Sequence, residues 1–182
     1  MAKTSARPTP AATRRGIVLP GIVLGVGLGG FVDGILLHQI LQWHHMLSST
    51  GSDSVGIAPY PVDTVHGLQM NTLWDGLFHV VTWLSILLGL ALLYARITGS
   101  RGRIWTSRAL WGCIVAGWGL FNLVEGVIDH HLLGIHHVRS GEHQTAWDVG
   151  FLGLGALLVA GGWLLHRTAA PLDLCAGDRT GR

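Results

Sequence analysis

Charge is what this sequence has least of. Asp, Glu, Lys and Arg make up 12% of its 182 residues, about half the ~25% of an ordinary soluble domain. Set against 49% hydrophobic residues and a mean hydropathy of +0.45, that shortage argues against a soluble domain and for an integral membrane protein. Cysteine is almost missing too. Cys113 falls in an apolar run and Cys175 in the polar C-terminal tail, so no disulfide framework is expected. There is no P-loop, Rossmann fingerprint or G-x-S-x-G elbow, and no cysteine is placed as a nucleophile. No stretch mixes basic and aromatic residues as a nucleic-acid surface would, so nucleic acid is excluded as a partner.

What the chain does have is glycine, tryptophan and histidine, 27, eight and 11 of them. Four apolar segments lie near 17–45, 72–96, 108–138 and 146–166, each longer than the ~20 residues that cross the hydrocarbon core as a helix. The glycines Gly25, Gly27, Gly29 and Gly30 in the first, with Gly153, Gly155, Gly161 and Gly162 in the fourth, suit close helix packing. Trp43, Trp74, Trp105, Trp147 and Trp163 sit near segment ends, as interfacial anchors do. The fold class expected is an all-α membrane four-helix bundle, residues 16–167, built of two tandem helical hairpins. Residues 1–15 and 168–182 form tails, the first disordered. Arg14-Arg15 before an apolar run without an A-x-A-type site reads as an uncleaved anchor.

Basic residues give the orientation. With the N-terminus inside, eleven of the twelve Lys and Arg lie on the inner side, and only Arg139 lies outside. The positive-inside rule then puts both termini in the cytoplasm of an inner-membrane protein, with loops 46–71 and 138–145 outside. The longer loop is either a lid or a connector.

One pattern occurs twice in this greasy setting. Val32-Asp33-Gly34-Ile35-Leu36-Leu37-His38, running on to His44-His45, is echoed 92 residues later by Val124-Glu125-Gly126-Val127-Ile128-Asp129-His130, running on to His136-His137. A weaker echo joins Trp74-Asp75 to Trp147-Asp148 at the starts of the second and fourth segments. An ionised carboxylate within a span costs roughly 2.5–3.5 kcal/mol even on the lenient insertion scale, so Asp33 and Glu125 need partners. Single interfacial histidines are ordinarily hydrated, but a doubled carboxylate–imidazole array points to metal.

Helix geometry limits how the array is used. Asp33 and His44 lie ~20° apart, whereas His38 and His45 are displaced by roughly 120–140°, so one straight helix cannot bring its whole array to one point. The expected ligands are Asp33, His38, Glu125, His130 and His79. Asp129, His44, His45, His136 and His137 extend them outward, and Asp75 and Asp148 stand behind as supports. His44 and His137 would sit about 9–10 Å further along their helices, as an outer site or access route. His66, His143 and His166 are expected to be structural or surface residues. Two ions use more of these groups than one. Mixed carboxylate and imidazole favours iron, with copper or zinc next and haem last.

The chain resembles a bacterial family of four-span membrane proteins known as a domain of unknown function, on the strength of Gly30-Phe31-Val32-Asp33-Gly34-Ile35-Leu36-Leu37-His38 and of Asp129-His130-His131 to His136-His137. The likeness covers residues 17–167 and implies membrane placement but no activity. More weakly, the clustered histidines resemble the His boxes of membrane di-iron desaturases and hydroxylases. The expected function is a metal-dependent oxidoreductase at the extracytoplasmic face. A copper- or zinc-handling protein is the alternative, and a metal-dependent hydrolase or haem protein follows. Besides the lipid bilayer, the partners are a small substrate or a metal donor or acceptor, and a homo-oligomer is left open.

Overall fold

A computed structural model of the chain describes residues 10–50, 59–100 and 106–169. Helix α1 spans Pro10–Asp33 and runs on into a π-helical turn, Gly34–Ile40. Helix α2 spans Val65–Ser100, and α3 spans Ser107–Glu125 and continues into a second π turn, Gly126–Leu132; α4 spans Gln144–Arg167. No strand occurs among the described residues, and four helices are long and apolar enough to cross a membrane. The all-α membrane bundle is therefore the fold.

Boundaries moved where capping and backbone geometry, rather than hydropathy, decide them. Helix α2 starts at Val65, seven residues before the apolar run suggested. The Thr64 hydroxyl accepts a hydrogen bond from the Gly67 amide at 3.1 Å, and side-chain capping of this kind sets a helix start. At 1.5 Å per residue its 36 residues reach ~54 Å, longer than a ~30 Å hydrocarbon core. Helix α1 already starts at Pro10, inside the segment read as a tail. The expected tails at 1–9 and 170–182, Cys175, Trp105 and the middle of the first outer loop, 51–58, lie outside the described residues.

Helices α1 and α3 cross at the centre, with α2 packed against α1 and α4 against α3. The crossing depends on glycine. A Cβ on Gly25 would run into the Ile114 carbonyl, and one on Gly117 would run into the Ile22 carbonyl. Gly25 and Gly117 are themselves 92 residues apart. Gly27, Gly30 and Gly89 bring α2 onto α1, and Gly112, Gly119, Gly155 and Gly162 bring α3 onto α4. Gly153 and Gly161, expected in these contacts, face open space instead. They fall on the side of α4 turned away from α3, as Leu154, Leu157 and Leu164 do.

The interior is thus unlike that of a soluble bundle. Its buried side chains include Asp33, His38, His44, Asn71, Asp75, Asn122, Glu125, His130, His136 and Asp148, while large apolar side chains on α2 and α4 point outward. That arrangement is stable where lipid, not water, surrounds the helices. Gly25→Val or Gly117→Val should push α1 and α3 apart and lower stability by about 1–3 kcal/mol or more, whereas Gly161→Val should leave it nearly unchanged. Thermal unfolding of the detergent-solubilised protein checks this, and equal losses for all three would refute the crossing.

Candidate metal centre

The site begins with the two π turns. In an α-helix, residues five apart point ~140° away from each other. A π turn bonds i to i+5 and returns residue i+5 to nearly the same face. Leu41 donates to the Leu36 carbonyl and Leu133 to the Ile128 carbonyl, each at 2.8 Å and five residues back. Asp33 and His38 therefore meet, with Nε2 of His38 3.4 Å from Oδ2 of Asp33. Glu125 and His130 meet in the same way at 3.4 Å.

Beyond each π turn the chain reverses. Gln42 takes φ 49° and Gly134 φ 60°, left-handed conformations at positions 92 apart. Trp43 then donates to the Leu37 carbonyl and Ile135 to that of Asp129. These reversals send His44 and His136 back into the bundle, not outward along extended helices. His38, His44 and His136 have 0%, 2% and 0% of their surface exposed, so they form the middle of the site and not an outer one. The His44 and His136 rings stack at 4.7 Å, 3° from parallel. His38 sits edge-on to His44 at 4.4 Å, and His130 edge-on to His136 at 4.8 Å.

Each imidazole is held from behind through Nδ1. His38 donates to Asp75 Oδ1 at 2.9 Å. His44 donates to the Val138 carbonyl at 2.8 Å, and His136 to the Met46 carbonyl at 3.1 Å. Nδ1 of His130 faces Asp148 Oδ1 at 3.4 Å, an ionic contact rather than a formed hydrogen bond. Asp75 also accepts from His45 at 2.6 Å and from the Met46 amide at 2.9 Å. Asp148 accepts from His137 at 2.7 Å and from the Val138 amide at 3.0 Å.

Carbonyl oxygens only accept, so His44 and His136 must carry their protons on Nδ1. Burial, with the neighbouring imidazoles adding to it, pushes both down to about 3, which keeps them neutral. Their Nε2 lone pairs then face inward, that of His136 lying 3.0 Å from Glu125 Oε1. A lone pair against a carboxylate oxygen repels unless a cation lies between them. Nε2 of His38, His44 and His130, Oδ2 of Asp33 and Oε2 of Glu125 are all buried without a hydrogen-bond partner. Two groups have metal-ligand geometry, Asp33–His38–His44 and His44–Glu125–His136, the donor atoms within each lying within 4.8 Å of one another. Imidazoles fixed through Nδ1, with unpartnered buried carboxylates beside them, are a donor set that suits a transition-metal site.

Other expected ligands lie elsewhere. His79 donates from Nδ1 to its own helix at the Asp75 carbonyl, 2.7 Å away, and packs beside Gly34 outside the cage. An i to i−4 backbone bond on α2 is available to it without leaving the helix. Asp129 is half-buried and lines a separate cavity with Met46 and Met70. His45 and His137 reach the backs of Asp75 and Asp148 instead of the interior, because each follows an inward-facing histidine directly. His66 and His143 are exposed, and His166 is buried near the opposite end, 3.1 Å from Cys113 Sγ. Two buried asparagines escaped the sequence reading. Asn71 ties Leu47 to Tyr60, which flank the segment before α2, and Asn122 leaves its carboxamide oxygen unpartnered. A polar amide within an apolar span was the only signal for Asn122, and Asn71, in the 46–71 loop, had none.

Fold and geometry together define a helical membrane protein with buried His/carboxylate groups able to hold metal at one end. The chain belongs to the predicted membrane protein family DUF2243, whose model matches residues 20–169. Comparison with curated proteins and with solved structures found no match.

Asp75 tests the supporting frame. Asp75→Ala strands the Nδ1 protons of His38 and His45 and the Met46 amide, and should cost about 3–5 kcal/mol. Asp129→Asn should cost about 0.5 kcal/mol or less. Equal losses in thermal unfolding would refute the frame.

Proposed function

We propose that this protein is a metal-dependent oxidoreductase of the inner membrane, with two metal ions held between Asp33, His38, His44, Glu125, His130 and His136. The observation that carries the metal is the pair of inward Nε2 lone pairs of His44 and His136, facing buried carboxylates while their Nδ1 protons are committed to the Val138 and Met46 carbonyls. Six carboxylate and imidazole side chains are more donors than one ion needs, which favours two, with the single free Nε2 lone pair of the shared His44 serving one of them. Mixed nitrogen and oxygen donors, without thiolate, favour iron. Such a centre supplies one-electron chemistry when loaded. The protein's part is to hold His44 and His136 neutral, to orient the imidazoles through Asp75, Asp148 and the Val138 and Met46 carbonyls, and to exclude water. Haem fits poorly, since stacked His44 and His136 fill the space beside His38 and His130.

Copper or zinc handling is the second reading, favoured by Met46 and Met70 lining one cavity beside the site. Deep burial speaks against it, because a transferred ion must come and go readily. We also infer that the two arrays descend from one duplicated hairpin, given matching turns and contacts 92 residues apart. Both termini are placed in the cytoplasm on the Lys and Arg count, with the centre toward the outer face.

Elemental analysis and an optical spectrum of the purified protein decide between the readings. The expected result is two iron ions per chain with a near-ultraviolet charge-transfer band, lost together in His44→Ala or His136→Ala and retained in His79→Ala. Copper or zinc would overturn the iron assignment, and full metal content in the His44→Ala, His136→Ala double variant would overturn the site. Reporter fusions at Gly102 and after Arg167 should read cytoplasmic and one at Ser54 external; an external reading at Gly102 would reverse the orientation.

A further inference from the structure

A cavity of about 360 Å³ opens between α1, α3 and α4 and ends on Asp33. Its volume lies in the range of small-molecule sites, about 300–1,000 Å³. Four aromatic residues, Trp43, Trp118, Trp147 and Phe151, line it among aliphatic ones. Trp43 and Trp147 pack at 5.2 Å, and the Arg139 guanidinium lies over both rings, 5.5 and 5.4 Å from their centroids. This cation–π cluster fixes the outer wall.

Two polar residues, Asn122 and Asp33, interrupt the apolar lining. Asn122 is 2% exposed and Asp33 6%, and both Asn122 Oδ1 and Asp33 Oδ2 are buried without a hydrogen-bond partner. A buried acceptor left unpaired costs about 1–3 kcal/mol; Asp33 Oδ2 faces His38 in the cage, which leaves Asn122 Oδ1 as the acceptor for something that brings a donor. The cavity beside Glu125 is smaller, about 270 Å³, and its walls hold no Trp and no amide. The position 92 residues before Asn122 is Gly30. Only one of the two grooves has this chemistry.

We propose that the α1–α3–α4 cavity is the substrate pocket, and that it takes a membrane-soluble planar ring bearing a hydroxyl, a phenol or quinol. The ring stacks among the indoles, and the hydroxyl donates to Asn122. Asp33 forms the wall between the pocket and the cage, so the hydroxylated end lies against a residue assigned to the metal. Calling the occupant a substrate rests on the metal reading; the pocket's preference for a hydroxylated ring does not.

The test uses full-length protein in detergent, with 2-naphthol and naphthalene as probes, followed by energy transfer from tryptophan and corrected for partition into micelles. 2-Naphthol should bind about five- to tenfold more tightly than naphthalene. Asn122→Leu should erase that preference while naphthalene still binds; if that variant does not assemble, Asn122→Ala, which also lacks an acceptor, gives the same readout. Gly150 lines the cavity and a Cβ there meets no atom within 4 Å, so Gly150→Leu should fill the pocket and abolish both signals with metal content unchanged. Equal binding of the two probes, or no effect of Gly150→Leu, would mean that bilayer acyl chains cover the groove, and would overturn the proposal. Because the probes need no metal, discrimination that survives in metal-free His44→Ala separates the pocket from the metal reading. Full metal content without discrimination overturns the pocket alone.

Discussion

An imidazole that gives its Nδ1 proton to a carbonyl has none to offer at Nε2 unless it becomes charged. His44 and His136 are both in that position, donating to Val138 and Met46, and both are buried too deeply to charge easily. Their lone pairs are fixed toward Asp33 and Glu125, which lie close by and are themselves buried. Among groups that would otherwise repel, a proton on the carboxyl or a metal ion between them makes the arrangement favourable. Much of the rest of this end of the bundle holds these rings in that orientation.

The donations cross from one half of the chain to the other. His44 follows the first π turn and is fixed by a carbonyl after the second; His136 follows the second and is fixed by a carbonyl after the first. Asp75 and Asp148 join each half's π-turn histidine to the segment behind it, accepting at once from ring nitrogens and from the Met46 and Val138 amides. Neither half completes its imidazole geometry alone. The close approach of α1 and α3 at Gly25 and Gly117 is what brings the two reversals within reach, so helix packing and site geometry are coupled.

The surrounding bilayer explains the distribution of residues. Lipid-facing Leu, Val and Trp on α2 and α4 need no protein partner, so interior positions are left to glycine for close backbones and to polar groups for the site. A polar group in such an interior has no water to fall back on, and each one is therefore informative. Most are satisfied by one another. The exceptions gather around the cage and at Asn122.

Much was legible in the residues alone. Four apolar runs and scarce charge specify four membrane helices, because length and hydropathy suffice for that. The doubled Asp33–His38 and Glu125–His130 spacing, with Asp75 and Asp148 behind, marks the chemistry, because carboxylates in an apolar span demand partners. The path of the backbone after Asp33 and Glu125 was not legible. Extended as α-helices, the arrays diverge, sending His44 and His136 outward and recruiting His79 in their place. Two π turns and two left-handed residues, Gln42 and Gly134, undo that geometry, and nothing in the local pattern distinguishes a π turn from the helix it interrupts. Which histidines face the centre was thus decided by tertiary structure, where chain reversal and cross-chain carbonyls set the direction of each lone pair.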